Sequence, residues 1–315
     1  MTNADLTTGI RTRRPRRISK ELKKNYDLYL MALPAVVVTF IFVYIPMYGV
    51  LMAFVDYSPE KGIMGSPFVG LQFFKQFFEN YRFWDLLKNT VGINLYALLV
   101  AFPIPIGFAL ILNQIRRSWV RRSVQTITYM PHFISPVVIA GMLIMFLSPS
   151  TGLYGHFLDL FGLSATHPLN EPQLFSSIYV WSDVWQHTGW DAIIYISALA
   201  AVDVELYNAA MVDGANRWQR VRYIDIPCLV PTMITMLILR IGGLMNVGFD
   251  KIYLLQNGLN LTASEVYSTF IYKQGVLGGK FSYTTAIGLF NTAINFVLLI
   301  SVNKLCKRFT KTGLW

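Results

Sequence analysis

Six apolar runs, each about as long as a helix needs to cross a ~30 Å hydrocarbon layer, divide this 315-residue chain. They cover roughly residues 29–55, 91–113, 124–148, 175–200, 226–250 and 284–303. No water reaches backbone N–H and C=O groups inside such a layer, so a spanning segment must satisfy them internally, as an α-helix does. Only 14% of the residues are charged and 54% are hydrophobic, whereas about a quarter of a soluble domain is charged. The prediction is an all-α membrane protein with six transmembrane helices. The first run follows a basic stretch, as in a signal peptide, but it is too long and no small-residue cleavage site follows it. It reads as a retained span.

The net charge of +10 suggests nucleic acid until its distribution is examined. Of the 27 Lys and Arg, eight precede the first run, four lie in 114–123, three in 201–225 and four after the last run. The loops between, 56–90, 149–174 and 251–283, hold seven, and Arg240 lies within a run. This positive-inside pattern places both termini and residues 201–225 in the cytoplasm. The stretch RTRRPRRISKELKK reads as a topology signal that touches anionic headgroups, so the expected partner is the bilayer and no nucleic acid. Three parts follow: a basic cytoplasmic segment 1–28, a six-helix transmembrane domain 29–303, and a cytoplasmic tail 304–315. Cys228 and Cys306 fall near the cytoplasmic ends of runs and form neither a metal spacing nor a disulfide framework.

In the first outer loop Phe73, Phe74, Phe77 and Phe78 recur at helical spacing with Lys75 and Gln76 opposite, which predicts an interfacial helix packing as scaffold. Pro103, Pro105, Pro131 and Pro136 lie inside or at the ends of runs, so kinks are expected there. No internal repeat is visible that would mark the inverted halves of many secondary transporters.

Residues 201–225 form a polar island between two apolar runs. Asp203 suits an N-cap, and the run from Val204 to Val212 sets Leu206, Ala209 and Ala210 on one side at helical spacing. Gly214 permits a left-handed turn that ends this helix, and Asn216 to Tyr223 can begin another. Pro227 is expected at the start of the fifth span, where a missing N–H costs little.

The string YNAAMVDGANRWQRVRYIDIP resembles the EAA loop of ABC importer permeases: Glu-Ala-Ala, three residues, Gly, nine residues, Ile, one residue, Leu-Pro. Ala209, Ala210, Gly214, Ile224 and Pro227 fall in register, and Asp213 and Ala215 complete an Asp-Gly-Ala core. Asn208 stands where the pattern has Glu, and Ile226 replaces Leu. Glu205, one turn earlier, is placed to substitute for the missing carboxylate. The segments FVGLQFF, MPHFISPVVIAG and FDKIYLLQNG are similar to the oligosaccharide branch of these permeases, the maltose and alginate importers among them.

The resemblance implies the type I ABC importer permease architecture with a cytoplasmic coupling helix, in a bacterial inner membrane. Its partners would be a second permease subunit, two ATP-binding subunits and an extracytoplasmic solute-binding protein that delivers oligosaccharide. ATP and Mg would be bound by the ATPase subunits, with no cofactor in this chain. Glu205, Asn208, Ala209, Ala210, Asp213, Gly214, Ala215 and Pro227 are the expected ATPase-coupling residues.

Polar residues inside a bilayer are costly and so are functional candidates. At 100° per residue Asp183, His187, Trp190 and Asp191 share one side of the fourth span, with Trp181, Trp185 and Thr188 opposite. Two readings stand. Aromatic rings and carboxylates suit the C–H faces and hydroxyls of a sugar, and Trp and His also form interface belts while Asp and His satisfy each other between helices. The fifth span adds Arg240, Asn246 and Asp250 to the substrate-path candidates. Arg240 points either to a cavity or partner or to neighbouring carbonyls.

A catalytic role finds no support in the sequence. His132, His156, His167 and His187 show no metal spacing, and neither GxSxG nor a phosphate-binding GKS or GKT loop occurs. The chain therefore cannot be its own ATPase. An ion-coupled secondary transporter would use Asp183 or Asp191 but leaves the island unexplained, and within the ABC class a peptide or polyol permease is the alternative.

Overall fold

The structure, a computed structural model, describes residues 25–164, 166–310 and 313–314. Residues 1–24 of the predicted basic segment 1–28, and residues 311, 312 and 315 of the predicted tail, lie outside the described residues. The regular elements among the described residues are all helical, with no β-strand and one isolated antiparallel bridge between Val55 and Phe68. The chain divides into two units after Leu51.

In the first unit Tyr26–Thr39 is α-helical and passes through a π turn, Phe40–Tyr44, into a tighter run that begins at Ile45. No residue of Tyr26–Thr39 is buried. Beyond Asp27 in its first turn the helix is apolar on every side up to Thr39, which is what a lipid environment selects.

In the second unit four segments correspond to the predicted spans from the second to the fifth and one to the sixth. The second span is Phe83–Asn113, the fifth Arg217–Gly242 and the sixth Phe281–Arg308, each long and apolar enough to cross a membrane. The sixth helix continues to Thr310, so the first residues of the predicted tail are helical. Pro103 sits at the N1 position after Phe102 and leaves the second span continuous.

The third span differs from the uninterrupted run predicted over 124–148. Ser118–Phe133 and Pro136–Phe146 are bent by 95° at the break between them. The cause is local: Ser135 precedes Pro136, so its α conformation is disfavoured, and Ile134 and Ser135 are extended. The Ser135 hydroxyl then caps the new helix, accepting from the Val138 amide at 3.4 Å. The fifth span also ends early, at Gly242. Its predicted continuation to residue 250 is instead a turn followed by a separate helix, Phe249–Leu255.

The fourth-span helix Pro172–Ala200 is the axis of the unit, packed against Phe83–Ala101, Pro103–Asn113, Ser118–Tyr129 and Ile226–Gly242. Lipid tails are as apolar as Leu, so helices associate here through close packing and polar contacts. Gly189 shows this: a Cβ there would overlap the Thr128 carbonyl oxygen, so the two backbones touch only because the residue is glycine. Phe175, Val180 and Ile252 fill one apolar cluster, and Ala109, Ala192 and Leu229 another.

The predicted interfacial helix forms as Gln72–Phe78. Phe77 is buried against Phe83, Tyr267, Tyr283 and Phe290, with ring centroids 5.1 to 6.3 Å away. Nearby, Glu265 is only 6% exposed and is held by Arg82 and by Lys273, the latter at 3.3 Å. A buried carboxylate between two cations fixes the start of the second span to the segment after residue 255.

Candidate functional site

The island folds as two helices meeting at a glycine. Asp203 caps the first, Val204–Val212, by accepting from the Glu205 amide at 2.9 Å. Gly214 has φ of +77°, a left-handed conformation that costs an L side chain about 1–2 kcal/mol. The Ala215 amide closes the turn onto the Ala210 carbonyl at 2.8 Å. Asn216 and Gln219 then form a reciprocal capping box, with bonds of 2.9 and 2.7 Å, which satisfies two otherwise orphaned amides.

The second helix, expected to begin within Asn216 to Tyr223, continues without a break into the fifth span. Arg217–Arg220 runs through a π turn, Val221–Asp225, directly into Ile226–Gly242. Pro227 therefore lies inside a continuous helical run. The wider turn just before it makes room for a ring that would clash with the carbonyl four residues back.

The first island helix has one face held and one face free. Tyr207, Ala210 and Ala215 are half-buried, while Val204, Glu205, Asn208, Ala209 and Asp213 are exposed and Val212 is 88% exposed. The sequence grouped Leu206, Ala209 and Ala210 on one docking side. The structure separates them, turning Ala210 toward the body and leaving Ala209 on the free face. Glu205 and Asn208 are neighbours on that face, and Glu205 makes no ion pair among the described residues.

Asp225, which the sequence reading passed over, is what holds the other face. Its carboxylate is 0% exposed. It accepts from the Tyr207 hydroxyl, from Gln114 Nε2 at 3.0 Å and, more weakly, from Asn113 Nδ2 at 3.5 Å. The island helix, the end of the second span and the start of the fifth thus meet on one buried acid. The Tyr207 hydroxyl is pushed up to about 12, first by burial and then by its bond to Asp225. It stays protonated, and a donor, throughout the physiological range.

The intramembrane candidates fall into three groups. In the first, the side chain of His187 lies 3.1 Å from Asp183, and Lys251 Nζ lies 3.7 Å from the same carboxylate. Lys251 is buried, has no hydrogen bond and sits 5.1 Å over the Tyr179 ring. His132 joins this group from the third-span break, stacked on Trp190 with centroids 4.3 Å apart and 3° between planes. No helical wheel of the fourth span reveals His132, because it arrives on a different element.

In the second group Arg240 pairs with Asp191, so its partner is a carboxylate of the fourth span and not a neighbouring carbonyl. Asn246 belongs to the third group, in the turn after the fifth span, where its side-chain oxygen accepts from Asn291 at 3.0 Å and Asn295 at 3.2 Å. It lines a cavity of about 370 Å³ with Phe249, Tyr272 and Ser268. Asp250 is exposed in the first turn of Phe249–Leu255. Neither Asn246 nor Asp250 lies in the fifth span. On the opposite side of the fourth span, Trp181 and Trp185 line an apolar groove with Met142 and Phe146. No group of three or more His, Cys, Asp or Glu gathers to hold a metal among the described residues.

Known proteins are similar to this chain along nearly its whole length. Residues 101–311 match the family described as binding-protein-dependent transport system inner membrane component. Protein LplB of Bacillus subtilis is 38% identical over 93% of this chain and 92% of its own length. The polygalacturonan/rhamnogalacturonan transport system permease protein YteP of the same organism is 37% identical over 96% and 94%. The trehalose/maltose transport system permease protein MalF of Thermococcus litoralis is 30% identical over 87% and 90%. In the crystal structure of a bacterial ABC transporter that imports the acidic polysaccharide alginate, one chain superposes with a TM-score of 0.86 at 38% identity. The match covers 94% of this chain and all of that one. The chain belongs to the binding-protein-dependent transport system inner membrane component family, the permease subunits of ABC importers, and has their type I fold.

Proposed function

We propose that this chain is one half of the translocation path of an ATP-driven importer that passes oligosaccharides, delivered by an extracytoplasmic binding protein, into the cytoplasm. A second permease subunit completes the path, and two ATP-binding subunits hold ATP and Mg. The observation that carries this reading is the island helix. One face is anchored to the body through Tyr207 and Asp225, and the other, with Glu205, Asn208, Ala209 and Val212, is free to enter a groove. Such an element is shaped to receive force from outside the membrane and pass it to the second and fifth spans. The distribution of Lys and Arg supports a cytoplasmic position for it and for both termini.

Fragments of acidic polysaccharides are the favoured substrates. The polygalacturonan/rhamnogalacturonan permease and the alginate importer are matched at 37% and 38% identity, the trehalose/maltose permease at 30%. Within this chain the stacked His132 and Trp190 rings offer a face to sugar C–H groups, and the adjacent Asp183, His187 and Lys251 offer polar partners for hydroxyls and carboxylates. A reconstituted complex of this chain with its partner permease, ATPases and binding protein tests the reading. Acidic oligosaccharides are expected to raise ATP hydrolysis above its basal rate more than neutral ones do. Stimulation by peptides or polyols alone would overturn the substrate class, and uptake without ATP hydrolysis would overturn the coupling.

A further inference from the structure

A polar cavity of about 300 Å³ lies against the joint described above, lined by Asn113, Gln114, Arg116, Tyr207, Arg217 and Arg220. Three guanidinium groups line it and no carboxylate does. Asp225, bonded to three of the lining residues, is itself fully buried, with its oxygens already engaged by Tyr207, Gln114 and Asn113. None of the three arginines makes an ion pair among the described residues. Arg220 Nε is buried without any acceptor, although a buried donor ordinarily finds one. Like charges gathered around one small cavity repel each other, and an anion placed among them removes both costs.

We propose that this cavity binds a phosphate-type oxyanion. A guanidinium presents paired N–H donors that match two phosphate oxygens, and the volume lies at the small end of the range for ligand pockets, which suits a headgroup-sized anion. The phosphate has two possible sources, an anionic phospholipid or the free ion in solution. The neighbouring helix Ser118–Tyr129 begins two residues after Arg116 and carries Arg121 and Arg122 exposed, so the site is continuous with a basic surface that attracts both. An anion held by Arg116 on one side and by Arg217 and Arg220 on the other ties the end of the second span to the island, next to the tie that Asp225 makes. Occupancy thereby steadies the helix Val204–Val212.

The experiment measures amide hydrogen exchange of residues 204–212 in the complete transporter, in nanodiscs of phosphatidylcholine, with and without phosphatidylglycerol, and in phosphatidylcholine with increasing inorganic phosphate. Protection that rises with phosphatidylglycerol identifies a lipid headgroup. Protection that rises along a saturable phosphate curve in neutral lipid identifies the free ion. Either response should need about tenfold or more of the anion in the Arg217→Gln/Arg220→Gln variant, as expected for the loss of charge-assisted bonds. Arg116→Gln, at an exposed position, should weaken it in the same direction and serves if the double variant fails to assemble. No response to either anion in the wild type, or the same response in the variants, overturns the proposal. So does a double variant that merely loses its ATPases while neither anion affects the wild type, since the cavity would then receive a protein side chain.

Discussion

Removing the Tyr207 hydroxyl isolates the contact that ties the island to the membrane body. Tyr207→Phe keeps the ring and deletes one of the three donors that reach Asp225. A hydrogen bond to a charged group contributes about 1.5–3 kcal/mol, and because Tyr207 is only half-buried the lower end applies, about 1.5–2 kcal/mol. At 1.4 kcal/mol per factor of ten, detachment of the helix should become about 10- to 30-fold more frequent. Asp225 keeps its bond to Gln114 at 3.0 Å, so the fold itself should persist. The assay is amide exchange of residues 204–212 in the assembled complex, paired with the ratio of sugar transported to ATP hydrolysed. Exchange should accelerate by that factor while the ratio falls, because hydrolysis would move a helix no longer fastened to the spans. Gln114→Ala combined with Tyr207→Phe should cost more than the two single changes together, since Asp225 would retain only the long contact from Asn113. Exchange within twofold of wild type in Tyr207→Phe would refute the idea that this bond anchors the helix.

The same tie has a pH signature: a hydroxyl raised from 10.0 to about 12 stabilises the joint fully below pH 10 and ceases to do so as pH rises through about 12. A titration of phenolate absorbance should therefore lose one late-ionising tyrosine in Tyr207→Phe; an unchanged curve would contradict the assignment. Arg240→Ala leaves the Asp191 carboxylate unpaired and should cost ~1–3 kcal/mol, between the values for exposed and buried pairs. Thermal unfolding of the complex should show the loss, and the Asp191→Arg/Arg240→Asp exchange should recover part of it; full stability of both single variants would show the pair to be idle. A Cβ at Gly214 would meet no neighbouring atom, so the main penalty of Gly214→Val is backbone strain, about 1–2 kcal/mol, whereas Gly214→Asn should be milder because Asn tolerates the left-handed region. Sugar uptake should fall in the order Gly, Asn, Val, and equal uptake in all three would refute a strained hinge.

The island was legible because its structure is local. Asp203, Gly214 and the Asn216–Gln219 box act within three or four residues of themselves, and the chain carries those signals in order. Asp225 was not legible for the opposite reason. Its partners Asn113 and Gln114 lie more than a hundred residues away, and an isolated Asp between Ile224 and Ile226 gives no sign of being fully buried. The breaks at Ile134–Ser135 and after Gly242 show a related limit. Hydropathy carries across both, since the residues on either side remain apolar, and the helices are interrupted by the restriction Pro136 places on Ser135 and by the low helix propensity of the paired Gly242 and Gly243.

Those two breaks also explain why the substrate-path candidates collect where they do. A straight third span would carry His132 along its own helix axis, and a fifth span continued to residue 250 would hold Lys251 at its far end. The bend of 95° brings His132 onto Trp190, and the turn after Gly242 lets Phe249–Leu255 return Lys251 to Asp183. Irregular backbone within a membrane is tolerated only where protein or water covers it. Both interruptions touch the fourth-span helix, the turn Met130–Phe133 directly and the turn after Gly242 through Val247 and Gly248 beside Tyr179. The polar groups that lipid would exclude are therefore assembled from three elements around one helix. Val204–Val212 follows that helix after Ala200, so under the proposed coupling a force applied there would reach them through the fourth-span helix.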